Sequence, residues 1–129
     1  MHGLHLTADL RGCSPAKPVM TEPSQLRDLC LAAVREAGLR PVGELFHRFA
    51  PVPGVLPPAP VGVTGVVLLA ESHLAVHTWP ELGAVTVDVY VCNLQADNSH
   101  LAHIAIERLI AGFAASQVTR QTLLRGGSA

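Results

Sequence analysis

The chain has 129 residues, of which 49% are hydrophobic and 15% charged; that suits one globular domain over 1–129 with a modest core and excludes a disordered chain. The formal net charge is −1 with histidine neutral, so no basic field exists to hold nucleic-acid phosphates and no like-charge run marks a tail. Small molecules or a second copy of the chain are the expected partners, with no nucleic acid and no membrane.

Residues 4–10, LHLTADL, alternate: Leu4, Leu6, Ala8 and Leu10 face one way, His5, Thr7 and Asp9 the other. This is the pattern of a half-buried strand. Residues 24–37 place Leu26, Leu29, Cys30, Ala33 and Ala37 at helical spacing, with Ser24 as the expected N-cap and Gly38 and Pro41 as the stop. Residues 42–49 read as a second strand, with His47 a surface histidine. Residues 50–62 carry five prolines and predict an exposed loop.

Three further strands are expected at 63–70, 73–79 and 85–92, the first two being either separate or one long strand. In VTVDVYVC the valines of one face must be core, and Thr86, Asp88, Tyr90 and Cys92 form a polar face able to line a site. A second helix is expected over 97–115, capped by Asp97 or Ser99, with His100 and His103 exposed and uninvolved. A last strand at 117–124 precedes an RGGSA tail. The order predicts an α/β (α+β) fold: a two-layer sandwich with a mainly antiparallel sheet and both helices on one face. The other sheet face is left for a site or a partner chain.

Cys13, Cys30 and Cys92 give neither a disulfide framework nor a CxxC knuckle. Reduced thiols in a cytoplasmic setting are expected. No signal peptide is read at the N-terminus, and the apolar run Val61–Ala70 is too short to span a bilayer. Cys30 lies on the apolar helix stripe and is expected to be a small core residue.

The dense stretch is LAESHLAVHTWPELG, residues 69–83. Glu71-Ser72-His73 suggests a nucleophilic serine beside a base, yet the G-x-S-x-G elbow of hydrolases is absent. His73 and His77 have the spacing of H-E-x-x-H, and Cys92 could be a third ligand. Leu74, however, stands where the glutamate belongs and the segment is β-like, so satisfied polar groups on a sheet face are favoured and no metal is expected. Trp79 is expected to pack and Pro80 to end the strand. Asp9 and Asp88 are read as bracing the sheet face or binding a cationic substrate.

The segments GVTGVVLLAESHLAVHTWPELG and VDVYVC, with HLTADLRGC near the start and RGG near the end, resemble the bacterial S-adenosylmethionine decarboxylase proenzymes over nearly the whole chain. The resemblance implies self-cleavage between Glu71 and Ser72, giving a β chain of 1–71 and an α chain of 72–129. Ser72 Oγ attacks the preceding carbonyl to form an ester, β-elimination releases the upstream chain, and hydrolysis leaves a covalent pyruvoyl group. Only a hydroxyl or thiol side chain can do this, and a base must take the Ser72 Cα proton.

By the same resemblance His77 takes that proton. Thr64 matches a processing hydroxyl that is commonly serine in the family, and its restricted rotamers are expected to slow processing. Cys92 is the proton donor in decarboxylation, the pyruvoyl carbonyl holds the substrate amine as a Schiff base, and Glu71 stays in the site as a substrate contact. Spermidine biosynthesis from S-adenosylmethionine is implied, in homodimers of two-chain protomers. Two features depart from the family: a longer proline-rich 51–60 link and Asn93 where glycine often follows the cysteine. They leave open the same chemistry on ornithine or arginine, or an unprocessed binding relative. An unbroken strand would put Ser72 and His77 on opposite faces, about 16 Å apart at ~3.3 Å per residue.

Overall fold

A computed structural model describes residues 2–127. Six strands, β1 (Gly3–Arg11), β2 (Pro41–Arg48), β3 (Val63–Leu69), β4 (Ser72–Trp79), β5 (Ala84–Cys92) and β6 (Gln117–Arg125), form one sheet in the order β2-β3-β4-β5-β1-β6. Every neighbouring pair is antiparallel. Two helices, α1 (Pro23–Ala37) and α2 (Ser99–Phe113), pack on each other and on one face of the sheet, α1 against β2 and β3, α2 against β5 and β1. The expected two-layer sandwich is what forms, and 63–79 is two strands joined by a tight hairpin.

The alternating pattern decides which face the helices cover. Leu4, Leu6, Ala8 and Leu10 of β1, Leu74 and Val76 of β4, and Val85, Val87, Val89 and Val91 of β5 are all buried beneath Leu26, Cys30 and Val34 of α1 and Ala105, Ile106, Leu109 and Phe113 of α2. Each such aliphatic side chain contributes about 1.5–3 kcal/mol of burial. Slipping any strand by one residue would turn this set outward, so the register is strongly specified. Alanines 33, 37, 102 and 105, all buried, suit close contact between the two helices.

The helix ends differ from expectation. Helix α1 begins at Pro23 with Glu22 as its unbonded N-cap, so Ser24 caps nothing; a proline at the first helical position needs no N–H partner. Gly38 does end α1, at φ 89°, with its N–H on Arg35 O and the Leu39 N–H on Val34 O. Helix α2 has Asn98 as N-cap, but Asp97 Oδ1 accepts the Ser99 N–H at 3.0 Å. That bond holds the Asp97 carboxyl below the usual carboxylate range.

One buried polar side chain knits the sheet to the segment before α1. Thr78 is 2% exposed; its hydroxyl donates to Met20 O at 2.8 Å and accepts from the Val63 N–H at 2.9 Å. Thr78→Val keeps the shape and orphans both groups, so it is expected to cost about 2–4 kcal/mol. Urea unfolding on a Ser72→Ala background, where the chain should stay whole, reads this as a lower midpoint at unchanged slope. An unchanged midpoint would contradict it.

Candidate active site

The face away from the helices is covered by no helix or strand among the described residues. It presents Thr64 on β3, His73 and His77 on β4, Asp88, Tyr90 and Cys92 on β5, and His5 on β1, all half-buried. Trp79 was expected to pack, yet it is 37% exposed on this face beside the proline-rich loop. The reason is parity: Leu74, Val76 and Thr78 take the inward positions of β4, which leaves Trp79 outward. Strand β4 ends there as expected, and Pro80 opens a short 3-10 turn.

Ser72 opens β4 directly after the hairpin turn Ala70–Glu71 and pairs with Leu69. Glu71 sits in the left-handed region at φ 56°, a conformation that costs a residue with a Cβ about 1–2 kcal/mol. The strained residue is the one whose carbonyl precedes Ser72. Ser72 Oγ accepts the Cys92 backbone N–H at 3.1 Å, which brings serine and cysteine together from positions twenty apart in sequence. The other end of the Cys92 peptide is held too: Asn98 Nδ2 donates to Cys92 O at 3.0 Å, and Asn93 Oδ1 accepts the Asn98 N–H at 2.8 Å. Asn93 thereby fixes the turn that follows the cysteine. A cleft of ≈ 440 Å³ opens here, lined by Leu69, Glu71, Ser72, His73, Tyr90 and Arg125, within the range of small-molecule sites.

Thr64 and His77 form a second pair. They are directly opposite across β3 and β4, with Thr64 Oγ1 and His77 Nδ1 hydrogen-bonded at 3.1 Å. Strand β4 runs unbroken from Ser72 to Trp79, so this pair stands about 16 Å along the strand from Ser72 and does not meet it within the chain.

His73 and His77 do not converge with Cys92 on one point. Instead His73 joins His5 and Asp88: Asp88 Oδ2 lies 2.9 Å from His5 Nε2 and 3.4 Å from His73 Nε2. Both imidazoles face the one Asp88 carboxylate, whereas His77 has Thr64 as its partner. Tyr90 lines the Ser72 cleft, as its place on the polar face of β5 allowed; sequence reading missed Arg125 in that cleft and His5 beside Tyr90. Their signal lay in the register of β1 against β5 and β6, where His5 faces Tyr90 on one side and Leu123 on the other. Cys30 is buried, which pushes its thiol up to about 12, so it stays protonated and inert. His100 and His103 are exposed on α2.

Comparison with known proteins covers nearly the whole chain. The family model described as S-adenosylmethionine decarboxylase matches residues 4–126. The chain is 37% identical over 124 residues to the S-adenosylmethionine decarboxylase proenzyme of Aquifex aeolicus, covering 96% of this chain and 81% of the relative. It is 34% identical over 112 residues to the proenzyme of the same name from Pyrococcus furiosus, covering 87% and 73%. The crystal structure of the adenosylmethionine decarboxylase from Aquifex aeolicus superposes with a TM-score of 0.82 at 34% identity, covering 98% of this chain and 92% of that one.

Proposed function

This chain belongs to the S-adenosylmethionine decarboxylase family, and we propose that it is a carboxy-lyase that removes CO₂ from S-adenosylmethionine, on the path to spermidine, after cutting its own backbone between Glu71 and Ser72. The observation that carries this reading is the junction itself: a serine hydroxyl held on the Cys92 N–H, directly after a left-handed glutamate, at the mouth of an open cleft. These residues fit the formation of a pyruvoyl group. That group supplies a carbonyl that takes the substrate amine and accepts the electron pair released with CO₂.

Each residue has a task that its chemistry allows. Ser72 Oγ is the nucleophile on the Glu71 carbonyl, and the left-handed geometry at Glu71 favours leaving the amide. The Cys92 N–H fixes the direction of Oγ. His77 takes the Ser72 Cα proton; if Thr64 accepts from Nδ1, Nε2 is left free as the base. The Cys92 thiol donates the proton that replaces the carboxylate on the substrate, and Glu71 remains at the cleft as the last residue of the 1–71 fragment. The three free cysteines suit a reducing cytoplasm, and no helix among the described residues is long and apolar enough to cross a membrane.

The separation of His77 from Ser72 bears on assembly. A base about 16 Å away along a strand cannot take a proton from its own chain's Ser72. The uncovered sheet face supports a homodimer in which a second copy lies face to face and lends its Thr64–His77 pair to the Ser72–Cys92 pair.

Release of CO₂ from carboxyl-labelled S-adenosylmethionine, ornithine and arginine by cleaved protein tests the substrate. Turnover of S-adenosylmethionine is expected; turnover of ornithine or arginine alone would overturn the reading. Cys92→Ala removes the thiol but keeps the backbone N–H that positions Ser72. It is expected to leave cleavage complete and lower turnover by about 10²–10⁴; full turnover would remove Cys92 from the mechanism.

A further inference from the structure

We propose that His5, His73 and Asp88 form a binding site for a divalent transition-metal ion of the zinc class. The three side chains come from β1, β4 and β5, adjacent strands whose hydrogen-bonded backbones fix their spacing. Their ligand atoms all lie within 4.8 Å of one another. The carboxylate oxygen stands 2.9 Å from one imidazole nitrogen and 3.4 Å from the other. A tetrahedral zinc ion with bonds of about 2.0–2.1 Å needs ligand atoms about 3.3 Å apart, so small ring rotations complete the set.

Two imidazoles and one carboxylate are a zinc donor set, with a water molecule as the fourth ligand. The ring planes are held as well: His73 stacks on Tyr90 at 5.6 Å and 29°, and His5 meets the same ring edge-on at 5.8 Å. Bound metal would tie three strands together at the end of the sheet where the Ser72 hairpin turns, whether or not the chain is cut.

The neighbourhood predicts a sign as well as a site. Arg125 Nη1 lies 3.3 Å from His5 Nδ1. Arginine can only donate, so without metal Nδ1 accepts and His5 Nε2 carries the proton toward Asp88. Metal at Nε2 moves that proton to Nδ1, where it faces the arginine. Arg125 therefore opposes the ion, and removing its charge should tighten binding.

Tag-free, full-length protein titrated with ZnCl₂ in a calorimeter tests this. Uptake of one ion per chain is expected, together with the visible spectrum of tetrahedral cobalt when Co²⁺ is substituted. His5→Gln and Asp88→Asn are each expected to weaken binding at least about tenfold, and Arg125→Gln to strengthen it. His47→Gln, at an exposed position away from the cluster, should change nothing. Should one ligand variant fail to fold by circular dichroism, the other and Arg125→Gln decide. No uptake by the folded wild type would overturn the proposal, as would affinity indifferent to His5, Asp88 and Arg125. Because calorimetry reads the ion directly, this outcome is independent of cleavage and of decarboxylation.

Discussion

Ser72→Ala is expected to leave the polypeptide whole, without a ketone and without turnover. Alanine has no Oγ, so the ester that begins the cut cannot form. The fold should survive, since Ser72 is half-buried and contributes one hydrogen bond, from the Cys92 N–H at 3.1 Å; its loss costs about 1 kcal/mol. Circular dichroism should match wild type while electrophoresis under denaturing conditions shows a single full-length band. The effect is all or none rather than graded. Cleavage of Ser72→Ala at the same bond would rule out hydroxyl attack.

Co-expression of His77→Ala with Ser72→Ala is expected to restore cleavage that neither variant shows alone. The His77→Ala chain keeps Ser72 but lacks the base; the Ser72→Ala chain keeps the base but has nothing to cut. If each site takes Ser72 and Cys92 from one copy and Thr64 and His77 from the other, a mixed dimer holds one intact site. In it only the His77→Ala chain is cut, so a mass label on one chain identifies the product. Failure of the mixture to cleave, with mixed dimers shown to form, would place His77 and Ser72 of one chain together and contradict the two-copy site. The prediction follows from strand length alone: five residues of unbroken β4 separate the groups.

Local patterning made much of this architecture readable beforehand. The alternation of β1 and β5, the apolar stripe of α1 and the proline density of 50–62 specified the elements, and the surplus of strands over helices gave the sandwich. The ends were less legible, because Glu22 and Asn98 occupy the N-caps without using their side chains, a choice made by the entering chain rather than by propensity. Trp79 was misread for a similar reason: size argues for burial, but strand parity and the inward Thr78 decide its side. Within the site, Glu71, Ser72, His77, Cys92 and Thr64 were nameable from the family resemblance, not from spacing or periodicity. Which of them meet was not, because it depends on register across strands distant in sequence. The pairing of β4 with β5 sets Cys92 beside Ser72, and the pairing of β3 with β4 sets Thr64 opposite His77. The His5–Asp88–His73 cluster needs β1 placed next to β5, which no local pattern encodes.

The most direct test is the mass of freshly purified protein under denaturing conditions, followed by reaction with a hydrazide. Two fragments matching 1–71 and 72–129 are predicted, with only the second carrying a hydrazide-reactive carbonyl at its first residue. One full-length species that gives no hydrazone would contradict the account.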